Sequence, residues 1–310
     1  MSESEDEISL SGSDSEDPAA EEIDNEEMII EDEPPTSDGK WILNSEIAAT
    51  LRYLSSNSFE DTVADSIGVS QQSVSRFIHQ VVDVLVSRTV MEAIIPYPKT
   101  DHDKERCIQT FGQRLPTVWG ALDGTLISIE APRQYAHDYR SRRHGFYLNV
   151  QLISDGQGRC LYIDATNCGS RHDSSAFRTS TCSQFEERIS NKKYQLISDK
   201  GYMNSSICIS MFKQCQSRQE RNLNQVIRKQ RVVIEQLIGV VKKRFKILQN
   251  TIRVPTDYAP SIISSCFILN NLLTLWGYRP LIRNPPLPAL NLIRSPTNCQ
   301  NPREFYANQM

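Results

Sequence analysis

The fold is predicted chiefly from one stretch, Arg231-Val-Val-Ile-Glu235-Gln-Leu-Ile-Gly-Val-Val-Lys-Lys-Arg-Phe-Lys-Ile-Leu248. Its apolar residues recur at helical spacings, which predicts one amphipathic helix over 231–248 with an apolar face toward a core. Arg231, Glu235 and Lys242 fall on the polar face of that helix. Glu235 is therefore a carboxylate among cations, and the simplest interpretation is a surface ion pair with Arg231.

Two aspartates elsewhere in the chain favour a second interpretation. An apolar strand pattern at residues 118–122 ends at Asp123-Gly124, which is typical of a turn, and a strand at 194–197 is followed by Asp199. The ends of neighbouring parallel strands converge, and a helix packed on the sheet can bring Glu235 to the same place. Further strand patterns lie at 126–129, 148–153, 160–164 and 207–212, so the prediction is an α/β domain.

Three clustered carboxylates would repel one another unless hard cations such as Mg²⁺ or Mn²⁺ neutralised them. A pair of such ions can activate a nucleophile and stabilise the leaving oxygen in phosphodiester chemistry. Each acid also has an ordinary interpretation: Asp123 and Asp199 as turn residues, and Asp173, after His172, as a helix N-cap. The cations expected to hold DNA phosphates are Arg140, Arg142, Arg143, Arg171, Lys200, Arg228, Arg231, Lys242, Lys243 and Arg244.

Residues 41–96 have an all-helical pattern that fits a helix-turn-helix. Ser45 and Ser58 are predicted to cap the first two helices, the second over 59–67. Gly68 then makes a sharp turn, and Ser70 caps a third helix over 71–94. A plain three-helix bundle fits the same pattern. The residues expected to contact DNA at the start of the third helix are Gln71, Gln72, Ser75 and Arg76.

Charge divides the chain unevenly. Residues 1–39 hold sixteen acidic and no basic residues, whereas residues 40–310 hold 34 basic and 22 acidic ones. The first segment is predicted to be a disordered acidic tail, and the basic remainder suggests an anionic partner such as nucleic acid. The sequence shows no membrane span and no secretory signal. The eight cysteines form no C-x-x-C pair, which favours reduced thiols over a zinc site. A helix over 101–115 and a loosely packed proline-rich tail over 279–310 complete the prediction.

Four motifs in order resemble those of the PIF/Harbinger transposases and the nucleases derived from them. They lie at 120–127, 169–174, 198–202 and 231–248, and residues 64–76 resemble the family's helix-turn-helix. The resemblance implies an RNase H-like DDE nuclease domain over 117–275 that uses a divalent metal, Mg²⁺ or Mn²⁺. It places Asp123, Asp199 and Glu235 in the triad, with thirty-five residues between the last two. Asp173 lies in a family motif but is not counted as a ligand.

The sequence departs from the family at two places: Asn270 stands where the family has histidine, and the strand after Tyr202 differs. The resemblance implies DNA as substrate, a Myb/SANT-like protein as partner, and a location in nucleus and cytoplasm, and it leaves an oligomer open. Two functions follow from these observations. One is a metal-dependent endonuclease or transposase, and the other is a catalytically silent domesticated transposase that binds DNA or the Myb-like protein.

Overall fold

The computed structural model describes residues 44–112, 115–141, 143–189, 193–278 and 301–309. The helices in this part of the chain are α1 (Ser45–Ser56), α2 (Glu60–Ile67), α3 (Gln71–Leu85), α4 (Arg88–Ile94), α5 (Asp101–Phe111), α6 (Ala136–Tyr139), α7 (Asp173–Arg178), α8 (Thr181–Ile189), α9 (Arg218–Arg244), α10 (Ala259–Leu275) and α11 (Pro302–Gln309). The strands are β1 (Val118–Ser128), β2 (Tyr147–Ser154), β3 (Cys160–Cys168), β4 (Gln195–Ser198) and β5 (Cys208–Ser210). The predicted tail over 1–39 lies outside the described residues.

The segment predicted as a helix-turn-helix consists of α2, a turn at Gly68 and α3. Gly68 ends α2 with a φ of 73°, a left-handed conformation that glycine adopts without steric cost. The Ser70 hydroxyl accepts a hydrogen bond from the backbone N–H of Ser73 at 3.1 Å, so its predicted capping role is confirmed. Two other predicted caps are wrong, because Asn44 rather than Ser45 caps α1, and α2 has no side-chain cap from Ser58.

The third helix is also shorter than predicted. The pattern over 71–94 divides into α3 and α4, and the break falls after Leu85. Both pieces are amphipathic, so periodicity alone could not locate the break.

The five strands form one mixed sheet in the order β3-β2-β1-β4-β5. The first three strands are antiparallel neighbours, whereas β4 pairs parallel to β1 and β5 parallel to β4. This mixed sheet flanked by helices is the expected RNase H-like α/β fold, preceded by the all-α region.

One strand differs from its prediction in a way that affects the site. The sequence 118–128 forms a single strand, β1, rather than two strands joined by a turn at Asp123-Gly124. Asp123 pairs with Leu152 and Gly124 with Gln151 inside the antiparallel ladder. The turn prediction is wrong because an Asp-Gly pair is compatible with an extended ladder when neighbouring strands satisfy its backbone groups.

The helix that opened the sequence prediction is longer than predicted. Helix α9 spans Arg218–Arg244 and starts at a capping box formed by Ser217 and Glu220. It ends before Phe245, and a 3-10 turn, Lys246–Leu248, follows. The predicted apolar face is confirmed for Val233, Leu237, Val241 and Leu248, which are buried.

The helical region and the sheet share one hydrophobic core. Buried residues of α1 and α3, such as Leu54 and Ile78, belong to the same cluster as Val241 of α9 and Phe267 of α10. The described residues from 44 onward therefore form one compact unit. In the described chain, no helix combines the length and apolar character that a membrane span requires.

The C-terminal tail is packed where it is described. Tyr306 of α11 is fully buried, and its hydroxyl lies 2.6 Å from the Thr117 hydroxyl, just before β1. The prediction of loose packing is therefore wrong for residues 302–309, while residues 279–300 lie outside the described chain.

Candidate active site

The parallel pairing of β1 with β4 brings two of the predicted acids together. The ladder pairs Gly120 with Leu196 and Ala121 with Ile197. Two positions beyond the second pair lie Asp123 in β1 and Asp199, the first residue after β4. Because strand residues two apart project from the same face, the two carboxylates occupy equivalent positions on neighbouring strands.

Arg231 of α9 connects Asp123 to Glu235. Its Nη2 lies 2.9 Å from Asp123 Oδ2, and its Nη1 lies 3.3 Å from Glu235 Oε1. The Arg231 side chain is only 5 % exposed, against 21 % for Asp123 and 53 % for Glu235. The predicted ion pair is present, but the prediction that Arg231 lies on an exposed polar face is wrong. The same guanidinium that pairs with Glu235 holds it beside the aspartates.

Burial makes Asp123 the unusual acid of this group. Desolvation raises the pKa of its carboxyl to about 6, and the charges of Asp199 and Glu235 add to the shift. Arg231 and the backbone N–H of Gly124, which donates to Asp123 Oδ1 at 2.9 Å, act in the opposite direction. One guanidinium and one N–H therefore do not fully offset the burial of this carboxylate.

The donors suit a hard divalent cation in their chemistry, because all three are carboxylates. Their placement is not yet that of a metal centre: within the described ranges, no three His, Cys, Asp or Glu side chains converge to hold an ion. Arg231 lies at ion-pairing distance from two of the acids. The three residues are therefore of the type that binds Mg²⁺ or Mn²⁺. In this structure the guanidinium of Arg231 supplies positive charge next to two of them.

Asp173 lies closer to the site than its predicted N-cap role implied. That role is wrong, because His172 is the N-cap residue of α7 and Asp173 is the first residue of the helix. Asp173 Oδ1 accepts hydrogen bonds from Asn149 Nδ2 at 2.9 Å and Gln151 Nε2 at 3.3 Å. A Cβ on Gly124 would lie 2.5 Å from Asp173 Oδ1 and 2.8 Å from Gln151 Nε2, so a larger residue there would displace these side chains.

A buried polar network supports Asp173 from β2. The Tyr202 hydroxyl donates to Gln151 Oε1 at 2.8 Å, and Gln151 Nε2 donates to Asn149 Oδ1 at 2.7 Å. Burial raises the pKa of the Tyr202 phenol, and the charges of Asp173, Asp123 and Asp199 raise it further. The sequence signal for this network was available: Asn149 and Gln151 are polar residues two apart within an otherwise apolar strand.

Several predicted phosphate-binding cations lie near Asp173. Arg140 and Arg143 line a recess of about 310 Å³ together with Asp173. Lys242 Nζ donates to Thr125 Oγ1 at 2.7 Å, so α9 also places this cation beside β1. Burial lowers the pKa of Lys242, and Arg143 lowers it further. These three side chains form a basic rim next to the acids.

The remaining predicted contacts are spread over other surfaces. Arg228, Lys243 and Lys200 are exposed, and Arg142 lies outside the described residues. Arg244 instead donates to Asn270 Oδ1 at 2.6 Å. At the start of α3, Gln71, Gln72 and Arg76 are exposed and Ser75 is partly exposed. This arrangement leaves the helix-turn-helix contacts as predictions.

Comparison with known families identifies the domain that contains this site. Residues 122–271 match the family described as "DDE superfamily endonuclease". The chain carries a DDE endonuclease domain. Asp123, Asp173, Asp199, Arg231 and Glu235 all lie inside the matched range, and α11 lies outside it.

Relatives extend the similarity beyond the DDE domain. The chain is 26 % identical over 234 residues to "Putative nuclease HARBI1" of Xenopus laevis, covering 74 % of this chain and 67 % of that protein. The proteins of that name from Rattus norvegicus and Homo sapiens are 26 % and 24 % identical, and 66 % of each is covered. The chain thus spans about two thirds of these relatives, and the resemblance to the Harbinger transposase family is confirmed.

A solved structure offers a more distant likeness. The chain in "Mos1 transposase paired-end complex with left transposon end" is 12 % identical, with 70 % of this chain and 60 % of that chain covered. Its TM-score is 0.18.

Near its end, the DDE domain uses two asparagines for structural contacts. Asn270, at the position of the family's histidine, accepts the hydrogen bond from Arg244. Asn271 accepts from the backbone N–H of Cys160 at 3.0 Å and donates to the carbonyls of Cys160 at 2.7 Å and Ile94 at 2.9 Å. Asn271 therefore joins α10 to the start of β3 and the end of α4.

Proposed function

We propose that this chain is a divalent-metal-dependent nuclease, derived from a transposase, that hydrolyses DNA phosphodiester bonds. The observation that supports the proposal most strongly is the juxtaposition of Asp123, Asp199 and Glu235 inside a DDE endonuclease domain. These three carboxylates would hold Mg²⁺ or Mn²⁺. When bound there, the ions would supply Lewis acidity that activates a nucleophilic oxygen and offsets charge on the leaving oxygen.

The chain's own residues would position the substrate and the acids. Arg140, Arg143 and Lys242 form the basic rim, and they would hold DNA phosphates next to the carboxylates. The network of Asn149, Gln151 and Tyr202 fixes the orientation of Asp173 Oδ1. Asp173 is therefore held in a fixed orientation against β2.

The proposal is tested by nicking of supercoiled plasmid and of transposon-end DNA in Mg²⁺ or Mn²⁺. Wild-type protein should convert the DNA, and Asp123→Asn should not, because the substitution removes a carboxylate ligand. Asp257→Asn, at an exposed position between the 3-10 turn and α10, is the matched control and should cleave like wild type. Equal conversion by wild type and Asp123→Asn would contradict the proposal.

A second function is favoured by the placement of Arg231. Its contacts with both Asp123 and Glu235, without three convergent metal donors in the described chain, suit a protein that binds DNA but does not cut it. The same assay separates the two functions when DNA binding is measured in parallel by fluorescence anisotropy. Tight binding without nicking by wild-type protein would support the silent, DNA-binding function.

We further propose a Myb/SANT-like protein as partner and a location in nucleus and cytoplasm, supported by the family resemblance alone. Co-purification of the full chain with such a protein, and light scattering of the complex, would test the partner and the oligomeric state. Loss of nuclear signal when the partner is depleted is the expected cellular result.

A further inference from the structure

A second recess of about 510 Å³ borders the acids on the side of β4 and β5. Lys200 and Met203 line it from the loop that follows Asp199, and Phe212 and Lys213 line it from the segment after β5. Arg303 of α11 closes the recess from the far end of the chain. The recess thus combines residues next to the DDE triad with a helix that lies outside the matched family range.

The cations of this recess have no acidic partners in the described residues. Among the described residues, no ion pair involves Lys200, Lys213 or Arg303. Arg303 Nη1 makes one long contact, 3.5 Å, with Ser210 Oγ. Its buried Nε and the buried Oδ1 of Asn204 have no hydrogen-bond partner among the residues that the structure describes. Buried polar atoms without partners are rare, so this recess retains unused donors and an unused acceptor.

The same recess offers a flat surface. The Arg303 guanidinium stacks on the Phe212 ring, with 4.2 Å between its central carbon and the ring centroid. Met203 stands beside it with 66 % of its surface exposed. Guanidinium planes, aromatic rings and methionine are surfaces on which nucleobases stack, and exposed lysines hold phosphates. A nucleotide matches this combination better than a simple anion, which would leave the stacked pair unused.

The Arg303 side is held firmly by its helix. Tyr306 is fully buried against Thr117, Ala307 is 4 % exposed, and α11 packs on α9 and β5. Asn204 Nδ2 donates to Asn301 Oδ1 at 2.9 Å, which ties the loop after β4 to the residue before α11. The platform is therefore preorganised rather than dependent on a long free side chain.

We propose that this recess binds one nucleotide of the DNA substrate next to the cleaved phosphate, with its base unstacked from the duplex. The base lies on the Arg303–Phe212 pair, Lys200 and Lys213 hold its phosphate, and Asn204 meets a polar edge of the base. The inference rests on the proposed function only in assuming that DNA reaches Asp199. Binding an unstacked base requires no cleavage, so nucleotide binding in the recess and nuclease activity can be tested separately.

The test compares two DNA probes bound to the full chain in Ca²⁺: a blunt duplex and a duplex with a mispaired end carrying 2-aminopurine. Wild-type protein should bind the mispaired end more tightly and change the 2-aminopurine emission. Arg303→Ala should lose about tenfold affinity for the mispaired end, because stacking on one base is lost, and under about twofold for the blunt duplex. Arg303→Lys, which keeps the charge but not the plane, should lose the emission change.

Arg88→Ala is the matched control, because Arg88 is an exposed arginine of α4 paired with Glu92 and does not line the recess. It should behave like wild type with both probes, and thermal melting confirms that each variant is folded. An equal loss on both probes would reduce Arg303 to a phosphate contact and overturn the proposal, as would no loss at all. Discrimination between the probes without any nicking in Mg²⁺ would leave this site standing while the proposed nuclease function fails.

Discussion

At the scale of single residues, Arg231 forms ion pairs with two carboxylates at once. It contacts Asp123 and Glu235 from inside the protein, where an unpaired charge is costly. Sequence periodicity placed Arg231 and Glu235 one turn apart and so predicted their pairing. It could not predict the contact with Asp123, because that contact depends on the position at which α9 packs against β1.

Removing this guanidinium should make the metal-free protein depend on added cation. Arg231→Gln leaves Asp123 buried beside two other acids, which costs roughly 3–5 kcal/mol of unfolding free energy. Mn²⁺ should then raise the melting temperature of the variant by more than that of wild type. Arg228→Gln, at an exposed position on α9, is the control and should melt like wild type. A variant that melts normally and ignores Mn²⁺ would show that the acids do not need a counter-charge.

Glu235→Gln tests the third acid. Nicking in Mg²⁺ or Mn²⁺ should fall to background, because a metal ligand is lost. Unfolding in urea should change by less than about 1 kcal/mol, since the Glu235 side chain is half exposed and its ion pair is screened by water. Unfolding of the variant at room temperature would instead assign Glu235 a purely structural role.

The raised pKa of Asp123 predicts a pH dependence of stability without metal. Its pKa rises from 3.8 to about 6 on folding, so the folded state binds this proton more tightly. Stability from this group is complete below pH 4 and is lost as the pH rises to about 6. Asp123→Asn removes the titration and should be more stable than wild type at pH 7, by up to ~3 kcal/mol.

Urea unfolding in EDTA between pH 4 and pH 8 measures this difference. At each pH, the unfolding free energy of the variant is subtracted from that of wild type, because the other acids titrate in both proteins and cancel in the difference. A difference that does not change with pH would show that Asp123 has an ordinary pKa in the folded state.

At the scale of elements, the predictions of helices and strands were correct where the hydrophobic residues followed one clear period. They failed where a short motif such as Asp-Gly is compatible with more than one structure. The strands β2 and β4 and the apolar face of α9 were predicted close to their positions, since their patterns are clear. Asp123-Gly124 was interpreted as a turn because isolated Asp-Gly pairs favour one. The ladder with β2, which pairs Asp123 with Leu152 and Gly124 with Gln151, keeps β1 extended through that point, and local sequence does not encode this long-range pairing.

Asn271 connects three elements through its side-chain hydrogen bonds, and a substitution there can measure what these bonds contribute to stability. Asn271→Ala leaves the backbone groups of Cys160 and the carbonyl of Ile94 without their partner in a buried place. The expected loss of unfolding free energy is ~2–4 kcal/mol, measured by chemical denaturation. Asn250→Ala, at an exposed position after the 3-10 turn, should cost far less. Similar losses for both variants would mean that the three buried bonds contribute little.

At the scale of the whole molecule, the net charge of -4 conceals an acidic segment over 1–39 and a basic remainder. The acidic segment over 1–39 is predicted to compete with DNA for the basic remainder. Deleting it should raise DNA affinity at low salt, with the gain shrinking as salt screens both interactions. Anisotropy titrations at two salt concentrations measure this, and unchanged affinity at low salt would exclude self-masking.

The C-terminal residues show why the whole molecule was predicted less well than its parts. Residues 302–309 carry only Phe305, Tyr306 and Ala307 as apolar anchors, and proline-rich sequence precedes them. Nothing local indicates that Tyr306 reaches Thr117 across 189 positions of sequence. Such a contact is set by tertiary packing, which periodicity does not report.

The hydrophobic core shared by α1, α3, α9 and α10 has a consequence for how this architecture can evolve. DNA-binding domains are often exchanged between enzymes. Such an exchange requires a domain boundary that few contacts cross. Here Leu54, Ile78 and Phe267 belong to one buried cluster, α10 packs on α3, and Asn271 donates a hydrogen bond to the carbonyl of Ile94 at the end of α4. Replacing α1 to α3 would expose this apolar surface. Under the proposed function, new target preferences are therefore expected to arise by point substitutions along α3 rather than by exchange of the whole helical region.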